Sequence, residues 1–225
     1  IPLQELYSIC MAARKLMVDK RSVGRIIARP FIKENGEYIR TGNRRDYALD
    51  PVGKTMLDYL VENSLSVYAI GKIEDIFNKR GISFSDHTKT NPQGIDKTLE
   101  FMKNADKGLI FTNLVDFDML YGHRNDVQGY AEALRYFDGR LPEIISAMDR
   151  NDVLIITADH GCDPSTASTD HSREHIPVLV YGENIKPGVN LGTRNCFCDI
   201  GKTILHMFNI ENEIKGLSFY QEIRR

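Results

Sequence analysis

Four cysteines in 225 residues, Cys10, Cys162, Cys196 and Cys198, form no Cys-x-x-Cys pair and are too few to staple a chain of this size. A disulfide framework is therefore excluded, and the four read as reduced thiols of a cytoplasmic protein. The Cys196-Phe197-Cys198 triplet has no partner pair with which to build a metal site, so it reads as two small buried hydrophobes. Positive charge is not in excess either. With 29 Lys and Arg against 31 Asp and Glu the net charge is −2, which excludes electrostatic holding of nucleic acid. No apolar run approaches a membrane span, and the first residues lack the charged-then-apolar layout of a signal peptide. Repeats and low-complexity tracts are absent. What remains is an ordinary soluble globular composition, 42% hydrophobic and 27% charged, long enough for one domain or one and part of a second. The opening IPLQELYSICMAARKLM carries no initiator Met and moves straight into an amphipathic pattern, so the chain reads as beginning inside a longer protein.

Residues 2–17 place apolar side chains at helical spacing. VGRIIARPF (23–31) reads as a strand ended by Pro30, and Asn35-Gly36 as a hairpin turn. The polar, basic stretch up to residue 50 reads as a linker or site loop. After it the rhythm changes to alternating strands and helices. Helices are expected over 51–64, with Pro51 first, over 94–104, over 127–150 with a kink or restart at Pro142, and over 198–209. Strands are expected over 65–71, 108–116, 152–159 and 176–182. Continuous apolar strands alternating with helices imply an α/β fold, a mainly parallel sheet with helices on both faces. A boundary falls near residue 50, between a small α+β piece (1–50) and an α/β core (51–225).

In such sheets ligands collect outside the carboxyl ends of the strands. Three segments fall there. VDFDMLYGHRND supplies Asp116, Asp118 and His123; TADHG supplies Asp159 and His160; TDHSREH supplies Asp170, His171 and His175. Carboxylates and imidazoles from three separate loops are the donor set that a site for two divalent cations requires. His87, in a polar loop, and His206, on the last helix, read as structural. The two Gly-Lys-Thr triplets, at 53–55 and 201–203, lack the glycine that a phosphate-binding loop needs six places before the lysine, and read as helix starts.

The segments Asp118-Met-Leu-Tyr-Gly-His123, Thr-Ala-Asp-His160-Gly and Thr-Asp-His171-Ser-Arg-Glu-His-Ile-Pro resemble the phosphopentomutases of the alkaline phosphatase superfamily, as do GRIIARPF and GKIEDIF. The resemblance implies an alkaline-phosphatase-like core with a partial cap domain. It implies two Mn²⁺ ions in the intact enzyme, one held by Asp118, His123 and His171 and the other by Asp159 and His160, with Asp170 supporting His171. Arg25 and Ile27 would touch a pentose phosphate substrate and Lys72 would face its phosphate. The activity implied is interconversion of ribose 1-phosphate and ribose 5-phosphate, and of their 2-deoxy forms, through a phosphoenzyme. The family's first strand, with an aspartate for the second metal, and its nucleophilic threonine find no match here. On this reading the chain is a C-terminal part, inactive alone, with at most one tight metal site. Two other readings stay open: a phosphatase or phosphoglycerate mutase of the same superfamily, with a different cap, and a non-catalytic metal-binding fragment.

Overall fold

Helical spacing of Leu6, Cys10 and Ala13 folds α1 (Leu3–Leu16), with Cys10 buried, in the computed structural model that describes residues 1–225. The backbone divides into two compact units, Ile1–Gly53 with Asp75–Lys79, and Lys54–Glu74 with Arg80–Arg225.

In the first unit, β1 (Arg25–Ala28) is followed after Pro30 by β2 (Phe31–Glu34) and β3 (Glu37–Arg40). The hairpin turns at Asn35 and Gly36, whose φ values of 50° and 87° fit a primed turn. The stretch read as a linker contains β4 (Arg45–Ala48), antiparallel to β1 from Arg25↔Ala48 to Ala28↔Arg45. Polarity misled because this strand is half exposed; its backbone completes the pairing that β1 requires, and Ala28 beneath is fully buried.

The second unit opens with α2 (Met56–Glu62). Its cap is Thr55, not Pro51: the Thr55 hydroxyl accepts from the Asp58 N–H while the Asp58 carboxylate accepts from the Thr55 N–H at 2.7 Å, a reciprocal box. β5 (Ser66–Ile70) runs on into the one-turn helix α3 (Ile73–Ile76), and β6 (Phe84–Asp86) and β7 (Gly108–Thr112) pair parallel to either side of β5. Val67, Tyr68, Ala69 and Ile70 are all buried, as the central strand of a covered parallel sheet must be. α4 (Asn91–Asn104) links β6 to β7 and starts earlier than expected, capped by Thr90 with Pro92 in its first turn. α5 (Val127–Ala147) continues through Pro142 without a restart.

β8 (Leu154–Thr157) and β9 (Val178–Tyr181) pair antiparallel, from Leu154↔Tyr181 to Thr157↔Val178. The mainly parallel arrangement expected has its exception here for a plain reason. A parallel return needs a crossover, usually helical, and the connection 158–177 contains no helix. This pair is not covered on both faces, since Leu179 and Tyr181 are exposed. α6 (Cys198–Met207) and α7 (Tyr220–Ile223) close the chain, and Ile185, Phe219 and Ile223 form a core packed against Val178, Val180 and Ile200. The reading of four free thiols also fails: Cys196 and Cys198 form a disulfide, leaving Cys10 and Cys162 free. The turn entering α6 brings the two together, with the Cys198 N–H facing Cys196 Sγ at 3.2 Å. No helix is long and apolar enough to cross a membrane.

Candidate metal centre

The chain leaving β7 is clamped before it reaches any chemistry. Asp116, buried, accepts a hydrogen bond from the Asn91 N–H at 2.7 Å, and its own N–H donates to Asn91 Oδ1 at 2.9 Å. One carboxylate oxygen of Asp116 is thereby used to tie the strand end to the start of α4, a structural task. A π-type turn, Phe117–Tyr121, and a 3₁₀ turn, Gly122–Arg124, follow and present Asp118 and His123.

The second and third segments meet through glycine. Gly161 forms an isolated antiparallel bridge with Ser172, whose N–H donates to Gly161 O at 3.1 Å. A Cβ on Gly161 would stand 2.6 Å from Ser172 O and 2.8 Å from Glu174 N, so the approach requires glycine. His160 and His171 flank this bridge, and their rings stack with centroids 3.6 Å apart. Gly122 does the same for the first segment: it is buried, and an added Cβ would overlap Cys162 Sγ.

The result is one cluster. His123 Nε2 and His171 Nε2 each lie 3.2 Å from Asp118 Oδ1, and His160 Nε2 lies 4.0 Å from the same oxygen. Asp159 Oδ1 stands 3.7 Å from His160 Nε2, on a side chain that is 68% exposed. One ligand atom each of Asp118, His160 and His171 lies within 4.8 Å of the others.

The far side of two of these rings tests whether a cation fits. His123 Nδ1 is 2.6 Å from Thr169 O and His160 Nδ1 is 3.0 Å from Gly161 O. A carbonyl only accepts, so each Nδ1 carries the proton and, in the neutral ring, each Nε2 carries a lone pair. Those lone pairs face a carboxylate oxygen, acceptor against acceptor. Protonating both rings would relieve this only by packing two imidazolium ions against each other and the His171 ring. A divalent cation relieves it with one ion, and imidazole with carboxylate is a donor set that such ions accept. Backbone carbonyls behind the ligating rings are the usual orienting device.

Nearby groups stay neutral. Burial pushes the Cys162 thiol up, and the charges of Asp118, Glu174 and Asp163 add to this, so it is a thiol rather than a thiolate. Burial likewise raises Tyr130, with Cys162 and Asp118 contributing.

Asp170 is exposed and donates its backbone N–H to Ser168 Oγ, while the carbonyls of Thr169 and Gly161 orient His123 and His160. His175 is exposed. Lys72 follows the carboxyl end of β5, the sheet edge that the segment after β7 also leaves. In the first unit, Arg25 is half exposed and pairs with Asp46 at 3.3 Å, and Ile27 is half-buried. His87 contacts Glu74 at 2.6 Å, and His206 contacts Ser218 Oγ at 2.8 Å, as structural histidines do. Sequence reasoning missed the glycines and the carbonyl of Thr169. The Gly beside each histidine, in YGH and DHG, was the available signal.

Comparison with known proteins adds to this geometry. Residues 40–212 match the Metalloenzyme superfamily. The whole chain is 62% identical over 225 residues to a phosphopentomutase of Clostridium kluyveri, and covers 58% of that protein. It is 62% identical over 219 residues to one from Clostridium acetobutylicum, 97% of this chain and 56% of the relative. With one from Acetivibrio thermocellus it shares 56% identity over 223 residues, 99% of this chain and 58% of the relative. The chain thus spans somewhat over half the length of the curated relatives it matches.

Proposed function

The chain belongs to the Metalloenzyme superfamily, and from that premise we propose that the whole protein is a phosphopentomutase, interconverting ribose 1-phosphate and ribose 5-phosphate and their 2-deoxy forms. One observation carries the reading: three imidazole nitrogens converge on Asp118 in a chain whose full length aligns at 62% identity with a phosphopentomutase. A cytoplasmic location and a part in nucleoside breakdown accompany this substrate class and belong to the proposal. So does the division into a cap piece, 1–50, and a metal-binding core, 51–225.

Asp118, His123 and His171 would hold one divalent ion and Asp159 with His160 a neighbouring one; Mn²⁺ is the ion proposed. The 3.2 Å approaches of His123 and His171 to Asp118 support the first group; His160, 3.7 Å from Asp159 and 4.0 Å from Asp118, stands between the two carboxylates and goes to the second on the resemblance. Such ions, when bound, neutralise phosphoryl oxygens and acidify a hydroxyl beside them. The chain's own residues supply aim and binding. Thr169 O and Gly161 O hold the Nδ1 protons, so the Nε2 lone pairs stay turned inward. Lys72 would offer a cation to the substrate phosphate, and Arg25 and Ile27 would contact the pentose phosphate. In the relay a phosphoryl group passes from an enzyme side chain to the free sugar hydroxyl, and the sugar's other phosphoryl group returns to the enzyme. No water is consumed.

The test is ³¹P NMR of the full-length protein with ribose 1-phosphate, with and without chelator. Metal-dependent appearance of ribose 5-phosphate is expected. Turnover of glycerate phosphates with none of pentose phosphates would overturn the proposal.

A further inference from the structure

The bond that aims His123 is poorly protected. His123 is 42% exposed, and its acceptor, Thr169 O, sits in an exposed stretch, Ser168–His171, where water competes for both groups. Something else must hold the 163–169 loop against the 122–125 turn. Asn125 is placed to do so. It ends the turn in the left-handed region, φ 52° and ψ 35°, with its N–H on Gly122 O at 3.2 Å. From there its Nδ2 donates to Thr166 O at 2.8 Å, across 41 residues of sequence. Its Oδ1 is buried and has no hydrogen-bond partner, so the amide is held at some cost with one end satisfied. Thr166 is in turn fastened within its own loop, its N–H and hydroxyl both bonding Asp163 O, at 3.2 and 3.0 Å. Pulling on Thr166 therefore moves the loop as a body, and Thr169 with it.

We infer that Asn125 is a positioning residue: its amide fixes Thr169 O where it holds the His123 Nδ1 proton, and so keeps His123 Nε2 aimed at Asp118. The inference rests on the metal reading of Asp118, His123 and His171 only in what the aim is for. Partners behind metal-ligating histidines are worth roughly 10–100-fold in metal affinity; a residue acting through such a partner should reach the lower end of that range.

Asn125→Gly is the clean variant, because glycine keeps the left-handed backbone and removes only the amide. Two readouts are needed. The first is exchange of the His123 Nδ1–H with water in ¹⁵N-edited NMR of the metal-free chain, expected to be several-fold faster in the variant than in the wild type. The second is the Mn²⁺ dissociation constant by calorimetry, expected to rise about tenfold while the melting temperature changes little. A His123 Nδ1–H as well protected in Asn125→Gly as in the wild type would overturn the inference, as would unchanged Mn²⁺ affinity in a wild type that binds tightly. If neither protein binds Mn²⁺, the metal reading fails, and the imidazole proton still decides the role of Asn125.

Discussion

Replacing Gly161 by alanine should break the cluster without touching a single candidate ligand. The added Cβ would meet Ser172 O at 2.6 Å, where an ordinary carbon–oxygen contact is about 3.3–3.6 Å. The two backbones must separate by roughly 0.7–1 Å to accept it. Neither obstacle can swing aside, because Ser172 O and Glu174 N are backbone; Glu174 Oε2, also 2.6 Å away, is a side-chain end that can. Gly161 is bonded to His160 and Ser172 to His171, so the separation is passed directly to the two stacked imidazoles. Metal–ligand distances tolerate about 0.2 Å, so a shift several times larger cannot be absorbed by the same ligand set. The overpacking itself should cost about 1–3 kcal/mol of folding stability. Mn²⁺ calorimetry should show binding at least tenfold weaker, and urea unfolding should show the stability loss. Gly139→Ala is the matched control: it lies in α5 with nothing within 4 Å of the new Cβ, and should bind Mn²⁺ normally and be no less stable. Gly161→Ala with wild-type affinity and stability would refute the geometry argued for the two loops.

Gly122→Ala meets chiefly a side chain, Cys162 Sγ, with the Phe117 carbonyl oxygen close at 3.1 Å, so adding Cys162→Ala should restore a large part of the Mn²⁺ affinity that Gly122→Ala loses; a double variant no better than the single would locate the clash elsewhere. At the start of α2, burial pushes the Asp58 carboxyl up, but the Arg80 hydrogen bond and those from Thr55 outweigh it and hold Asp58 below the usual carboxylate range. A depressed folded-state value gives stability that is present above the unfolded value of about 4 and is lost as pH falls through the folded one. The stability gap between wild type and Asp58→Asn should therefore be constant near neutrality and close in acid; a gap independent of pH would contradict the pairing.

Much of the second unit was legible because its signals are local. β5 and β7 are short apolar runs in a setting of amphipathic helices, although the caps Thr55 and Thr90 went unread and left the starts of α2 and α4 misplaced. β4 was not legible, since an exposed strand with Arg45 and Asp46 carries no apolar alternation and is a strand only because β1 lies beside it. The direction of β9 was not legible for a related reason: its composition suits either sense, and the helix-free connection decides. In the site, side chains with chemistry in them stood out, as Asp118, His123, Asp159, His160 and His171 did. Asp116 stood out equally and proved to be a clamp, because residue type cannot distinguish a carboxylate facing a ligand from one facing Asn91. The disulfide of Cys196 and Cys198 was hidden by the same limit, a turn that brings neighbours into contact.

The central claim is that Asp118 and the imidazoles around it hold a divalent cation. Mn²⁺ calorimetry on the chelator-stripped 225-residue chain, alongside Asp118→Asn and His171→Ala, addresses it most directly. One Mn²⁺ should bind the wild type tightly, and each variant should lose more than the roughly 10–100-fold that removing an outer partner of a ligand costs, because each removes a donor itself. A chain that binds no Mn²⁺, or one whose binding is indifferent to both Asp118 and His171, would contradict the account.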